Sequence, residues 1–152
     1  MSARIVEIKA VHPGDPDRVF AEAMQFDELK SAMSGLATYD GLPDGGVAEE
    51  GQTYTVDVTL WGWLKNGGHV MHVERLDWEA RLIQSREHNA SVKRWDHCLT
   101  VEPHDQGALW TDRIVIDAGW QTPFTARFAR YVYTYRHTHR SALSIEQSIR
   151  RA

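Results

Sequence analysis

A chain of 152 residues, 42% of them hydrophobic, with a formal net charge of −4, has the length of one domain and can bury about two-thirds of the surface its unfolded form exposes. It therefore needs neither a disulfide nor a structural metal, and its single cysteine, Cys98, excludes an internal bridge and suits a reducing compartment. No stretch approaches the ~20 apolar residues that span a bilayer, and the opening MSARIVEIKA lacks the apolar centre of a secretion signal, so one cytoplasmic domain over residues 1–152, without stable membrane insertion, is expected.

Charge is unevenly spread. From Thr122 to Ala152 there are six arginines and one acid, Glu146, a balance of +5, whereas the rest of the chain carries −9. A basic terminal segment can attract nucleic acid or anionic lipid. The reading preferred here is the solvated back of an amphipathic helix, with no nucleic-acid partner.

In chain order, Ile5 and its apolar neighbours alternate with Arg4, Glu7 and Lys9 and stop at His12-Pro13-Gly14, the pattern of a strand with a firm end. Asp15-Pro16-Asp17-Arg18 opens a helix, because Asp15 can accept from free amides and proline suits the first helical position. A second short helix covers Asp27 to Met33 and breaks at Ser34-Gly35.

Beyond Leu36 turn signals recur between runs rich in Val, Thr, Ile and Trp, the texture of a meander. Leu36 to Gly41 is a weak strand, and Gly51 to Trp63 a strong one. Lys65-Asn66-Gly67-Gly68 is expected as a hairpin turn. His69 to Leu76, Ala80 to Glu87, Val92 to Glu102 and Ala108 to Asp117 complete seven strands, antiparallel because their loops are short. A bulge at Gly62 would invert the strand faces that follow it.

Thr122-Pro123 then starts a helix expected to run about 25 residues. On a 100° wheel Phe128, Tyr131, Val132, Tyr135, Thr138, His139 and Ala142 share one arc, with Arg130, Arg136, His137 and Arg140 opposite. With no second long helix to pack on, that apolar arc must face the sheet, which has to curve around it. Tyr131, Tyr135 and His139 put polar tips on this arc, where they either line a ligand cavity or bond to strand backbones in a filled core. The expected class is thus α+β, a curved seven-stranded antiparallel sheet around a long C-terminal helix.

One strand, two helices, a meander and a long last helix is the order of the START-like helix-grip, or SRPBCC, superfamily. The segments Asp15-Pro16-Asp17-Arg18-Val19-Phe20, RWDHCLTVEP, LWTDRIVIDAG and TPFTARFARYVYTYRHTHR resemble its polyketide cyclase/dehydratase-like branch, within a bacterial subgroup whose members are mostly of unassigned function. The resemblance implies a ligand between concave sheet and last helix, and many members bind lipid or other hydrophobic molecules without catalysing a reaction.

The eight histidines carry no metal spacing. His137 and His139 lie about 200° apart on a helix, and neither His-Glu-x-x-His nor paired cysteines occur. No metal and no cofactor are expected. Cys98 reads as a packing residue rather than a nucleophile.

The pair of chemical interest is His97 with Asp112. Pairing the last hairpin so that positions sum to 209 sets His97 beside Asp112, Trp95 beside Ile114 and Leu99 beside Trp110, which gives a cyclase or dehydratase a general base. A slip of one residue would pair His97 with Arg113 instead. The first expectation is a binder or carrier of a small hydrophobic or aromatic molecule, contacted by Trp95, His97, Phe128, Tyr131, Tyr135 and His139. The second is catalysis by His97 and Asp112, and the third an oligomerising, homodimeric or chaperone-like module using Trp61 and Trp63.

Overall fold

The computed structural model describes residues 2–152. Strand β1 (Arg4–His12) is followed by helices α1 (Pro16–Ala23) and α2 (Phe26–Met33). The meander is β2 (Ala37–Asp40), β3 (Thr53–Leu60), β4 (Leu64–Asp77), β5 (Leu82–His88), β6 (Arg94–His104) and β7 (Gly107–Asp117). A 3-10 turn, Gly119–Gln121, leads into α3 (Thr122–His139), and β8 (Ser144–Arg151) ends the chain.

All eight strands among the described residues join one antiparallel sheet in the order β2-β3-β4-β5-β6-β7-β1-β8. The seven-stranded expectation is thus short by one strand, and the helix short of its expected length. α3 spans 18 residues and stops because Ser141 takes a left-handed φ of 59°. The Ser141 amide then donates to Thr138 O at 3.0 Å and the Ala142 amide to His137 O at 3.1 Å, the paired bonds of a Schellman cap. The chain turns back, the Leu143 amide donates to Val11 O at 2.7 Å, and β8 pairs with the free edge of β1. Ile145 and Ile149 pack there against the cluster of Val6, Ile8, Ile114, Ile116, Ala126 and Ala129.

At the other end of the chain the capping expectation holds. Asp15 accepts from the amides of Asp17 and Arg18, and Pro16 is the first residue of α1. α1 delivers Val19 and Phe20 to a second cluster with Val56, Leu99, Val101 and Trp110.

The β3–β4 hairpin departs from expectation. Its turn is Trp61-Gly62-Trp63, with φ of 51° at Trp61 and 76° at Gly62, so the chain reverses before Lys65 to Gly68, although Gly68 also takes a positive φ of 70°. Lys65 to Gly68 lies inside β4. There Gly67 and Gly68 together oppose the single residue Asp57, and the Gly68 amide donates to Asp57 Oδ1 at 2.8 Å. A bulge of this kind bends the strand and sharpens its twist. A second irregularity between Val73 and Arg75 adds to the bend, so the curvature comes from these sites rather than from Gly62.

Candidate functional site

The curved face and α3 enclose a cavity of about 440 Å³. Pairing across the sheet decides what faces it. Met71 lies opposite Glu87, Glu87 opposite Trp95, and Ser85 opposite His97, so these side chains share one face. Leu29 and Met33 of α2, Val58 and Leu60 of β3, and Phe128 and Val132 of α3 supply apolar wall. Of the expected ligand contacts, Trp95, His97 and Phe128 line the cavity, while Tyr131, Tyr135 and His139 do not.

Although Phe128 and Val132 of the expected arc still face the cavity, the helix is rotated from the expected orientation. Its buried residues are Thr122, Ala126, Ala129, Arg136 and His137, two of which were placed on the solvated back. Tyr131 is 49% exposed. Tyr135 packs at the edge near Met33 and Leu36 and stacks on His139, ring centroids 3.8 Å apart. The rotation is possible because Arg136 and His137 meet partners inside. Arg136 Nη2 donates to Glu28 Oε2 at 2.6 Å, and Glu28 also pairs with Arg140. Burial works against ionised Glu28, yet the two guanidinium groups outweigh it and hold its carboxyl below the usual range. Both guanidinium carbons lie over the Trp110 ring, at 4.8 and 5.0 Å from its centroid.

His137 Nε2 donates to Asp112 Oδ2 at 2.7 Å, His97 Nε2 donates to Asp112 Oδ1 at 2.7 Å, and Trp110 Nε1 donates to the same Oδ1 at 3.1 Å. The register sums to 211, not 209: His97 opposes Ile114, Trp95 opposes Ile116, and Leu99 opposes Asp112. An offset of two keeps every side chain on its expected face, and the His97 and Asp112 side chains meet diagonally. Asp112 is fully buried, which alone would raise its pKa. The hydrogen bonds and charge of the two imidazoles outweigh burial and hold it far below the usual carboxylate range.

With Asp112 accepting from Nε2 of His137, the other ring nitrogen of His137, Nδ1, lies 2.9 Å from His12 Nε2, and the two imidazoles share a hydrogen bond. Burial first, then the charges of His137 and Arg140, lower the His12 pKa to about 4. His97 is oriented by the same carboxylate: its Nε2 donates to Asp112, and its Nδ1 has no partner among the described residues.

A carboxylate on the wall itself went unnoticed in the sequence. Glu87 accepts from His69 Nε2 at 2.7 Å and from Ser85 Oγ at 2.6 Å, and His69 Nδ1 accepts from Asn89 Nδ2 at 3.1 Å. Pairing β5 with β6 would have exposed Ser85 and Glu87 as neighbours of His97 and Trp95. Nothing in the sequence pattern marks Arg136, which sits among solvated arginines. Tyr39 and Tyr133 also face the cavity, and burial raises both phenols, Tyr39 to about 12. Cys98 is half-buried, its thiol pKa raised by burial. Trp61 and Trp63 are exposed at the tip of their hairpin. Among the described residues no group of side chains is arranged to hold a metal, and no helix is long and apolar enough to cross a membrane.

Solved structures share this architecture at low identity. The chain is 15% identical to the Zhui aromatase/cyclase from Streptomyces sp. R1128, covering 91% of each chain at a TM-score of 0.63. It is 10% identical to a START superfamily protein from Mycobacterium smegmatis, covering 90% of this chain and 93% of that one, also at 0.63. Against protein Ms6760 from Mycobacterium smegmatis the TM-score is 0.71 at 11% identity, over 90% of this chain and 87% of that one. No family model and no curated protein sequence matches the chain. The fold is the START-like helix grip, here with an eighth strand on the edge of β1.

Proposed function

We propose that this protein binds a small, largely apolar ligand between the curved sheet and α3. The observation that carries the reading is the cavity itself. Its volume of about 440 Å³ lies within the range of roughly 300–1,000 Å³ usual for small-molecule sites, and its wall combines many apolar side chains with a few fixed polar groups. Left empty, such a space forfeits dispersion contacts that a guest restores.

The neutral fluorophore N-phenyl-1-naphthylamine tests this directly. It should brighten on binding, and Val58→Trp or Met71→Trp, each filling part of the cavity, should weaken binding about tenfold or more while the far-UV spectrum is kept. Equal affinity in both variants would place the apolar site elsewhere and reject the reading. Native mass spectrometry of protein purified from its host adds a direct view of any retained guest.

A second reading, a cyclase or dehydratase of poly-β-ketones, draws support from His97, whose Nε2 is fixed by Asp112 and whose Nδ1 is unused. Nδ1 would take an α-proton, the enolate carbon would attack a second carbonyl of the same chain, and the alkoxide would recover the proton before water leaves. His97→Ala should then abolish turnover of a poly-β-ketone and leave fluorophore binding nearly intact. Unchanged turnover would reject His97 as the base.

A further inference from the structure

The polar groups of the cavity wall can be sorted into those already satisfied and those left over. Glu87 has a donor on each oxygen, Ser85 on one and His69 on the other. Asp112 accepts from His97, His137 and Trp110. Neither carboxylate seeks a further donor.

The remainder is lopsided towards donors. Arg136 is 6% exposed and forms part of the wall. Among the described residues only its Nη2 is engaged, by Glu28 Oε2 at 2.6 Å and Ala23 O at 3.4 Å, while Nε is buried without a partner and Nη1 makes no hydrogen bond. Tyr39 lines the same space, and its hydroxyl has no acceptor among the described residues. Arg136 and Tyr39 thus face one cavity, and the Arg136 charge opposes the rise that burial imposes on the phenol's pKa. The Tyr133 hydroxyl accepts from Trp95 Nε1 at 3.2 Å, which leaves its own hydrogen free. Against these donors stand Nδ1 of His97 and the side-chain oxygen of the exposed Asn66.

A buried donor without an acceptor is costly, and a guanidinium donor is always charged. A guest that fits this wall therefore brings oxygen acceptors, and a planar, two-oxygen anion matches a guanidinium beside a phenol best. Glu28 does not cancel the attraction, because it is shared between Arg136 and Arg140. Building on the binding reading above, we infer that the guest is an apolar carboxylic acid whose carboxylate is held by Arg136 and Tyr39, its hydrocarbon body lying against Val58, Leu60 and Phe128.

Two compounds of one shape test this, 2-naphthoate and the neutral 2-acetylnaphthalene, titrated calorimetrically near neutral pH. The unmodified protein should bind the acid about tenfold or more tighter than the ketone, as expected where a site is built to bond the missing group. Tyr39→Phe removes only a hydroxyl and should erode that preference without changing ketone affinity. Arg136→Gln alone would leave Glu28 with Arg140 as its partner and one oxygen unpaired, so it is combined with Glu28→Gln, and the double variant should bind both compounds equally. Equal affinities in the unmodified protein, or a preference that survives the double variant, would overturn the inference while leaving the cavity reading intact. If neither compound binds, and the neutral fluorophore also fails, both fall together.

Discussion

His97 Nε2 lies 2.7 Å from Asp112 Oδ1 although the two residues are not opposite each other in the sheet, His97 facing Ile114 and Asp112 facing Leu99. The diagonal contact places Asp112 beneath the cavity wall rather than on it, where it can also receive His137 from α3. One carboxylate thus fixes a wall imidazole on one side and anchors the helix on the other. Sheet and helix are joined by charge-assisted hydrogen bonds as well as by the apolar contacts of Ala126 and Ala129.

Asp112→Asn preserves volume but replaces one acceptor oxygen by an amide that donates, leaving His97 or His137 facing a donor. The variant should lose about 2–4 kcal/mol of stability, seen as a lower urea midpoint with an unchanged slope. An unaltered midpoint would mean that the three donors are adequately served without the charge.

Stability should also fall as pH drops from about 6.5 to about 4, the span between the ordinary histidine value and that of His12. Over this window the unfolded chain takes up a proton that buried His12 refuses, so the folded state loses on the order of 3 kcal/mol relative to neutral pH. Asp112 acts with the same sign further down. Its folded pKa is depressed, so its contribution is present above about pH 4 and is withdrawn below it. Chemical unfolding at a series of pH values should show a one-proton slope between pH 6.5 and 4 that is absent in His12→Gln. A slope that persists in the variant would assign the proton to another group.

The parts of this fold legible in the sequence are those set by local rules. Asp15 caps α1, and period-two alternation put His97 and Asp112 on one face even though the register was off by two, because a shift of two preserves facing. What escaped depends on partners distant in sequence. Arg136 and His137 read as solvated since neither is apolar, and only Glu28 and Asp112, 108 and 25 residues away, make their burial tolerable. Tyr131 and Tyr135 read as inward because they are aromatic, yet an aromatic edge can lie half in water at modest cost. The β3–β4 turn was missed because tryptophan at positive φ is rare, so Asn66-Gly67 looked the better turn although the sheet uses Gly67-Gly68 as a bulge.

The end of α3 was hidden in the same way. A Schellman cap normally announces itself by glycine, and here Ser141 takes the left-handed position at φ 59°, a conformation that strains any residue carrying a Cβ. Ser141→Gly should relieve that strain and stabilise the protein by about 0.5–1 kcal/mol, net of the extra freedom glycine gives the unfolded chain. The gain should appear as a rise in Tm of roughly 1–4 °C for a domain of this size. The cap also aims β8, since Leu143 bonds to Val11 O immediately after it. Amide exchange at Ile145 and Ile149, paired with Ala10 and Val6, should therefore slow in the variant. Were Ser141→Gly instead to destabilise the chain and speed exchange along β8, the serine would be holding the reversal through its side chain rather than merely tolerating it.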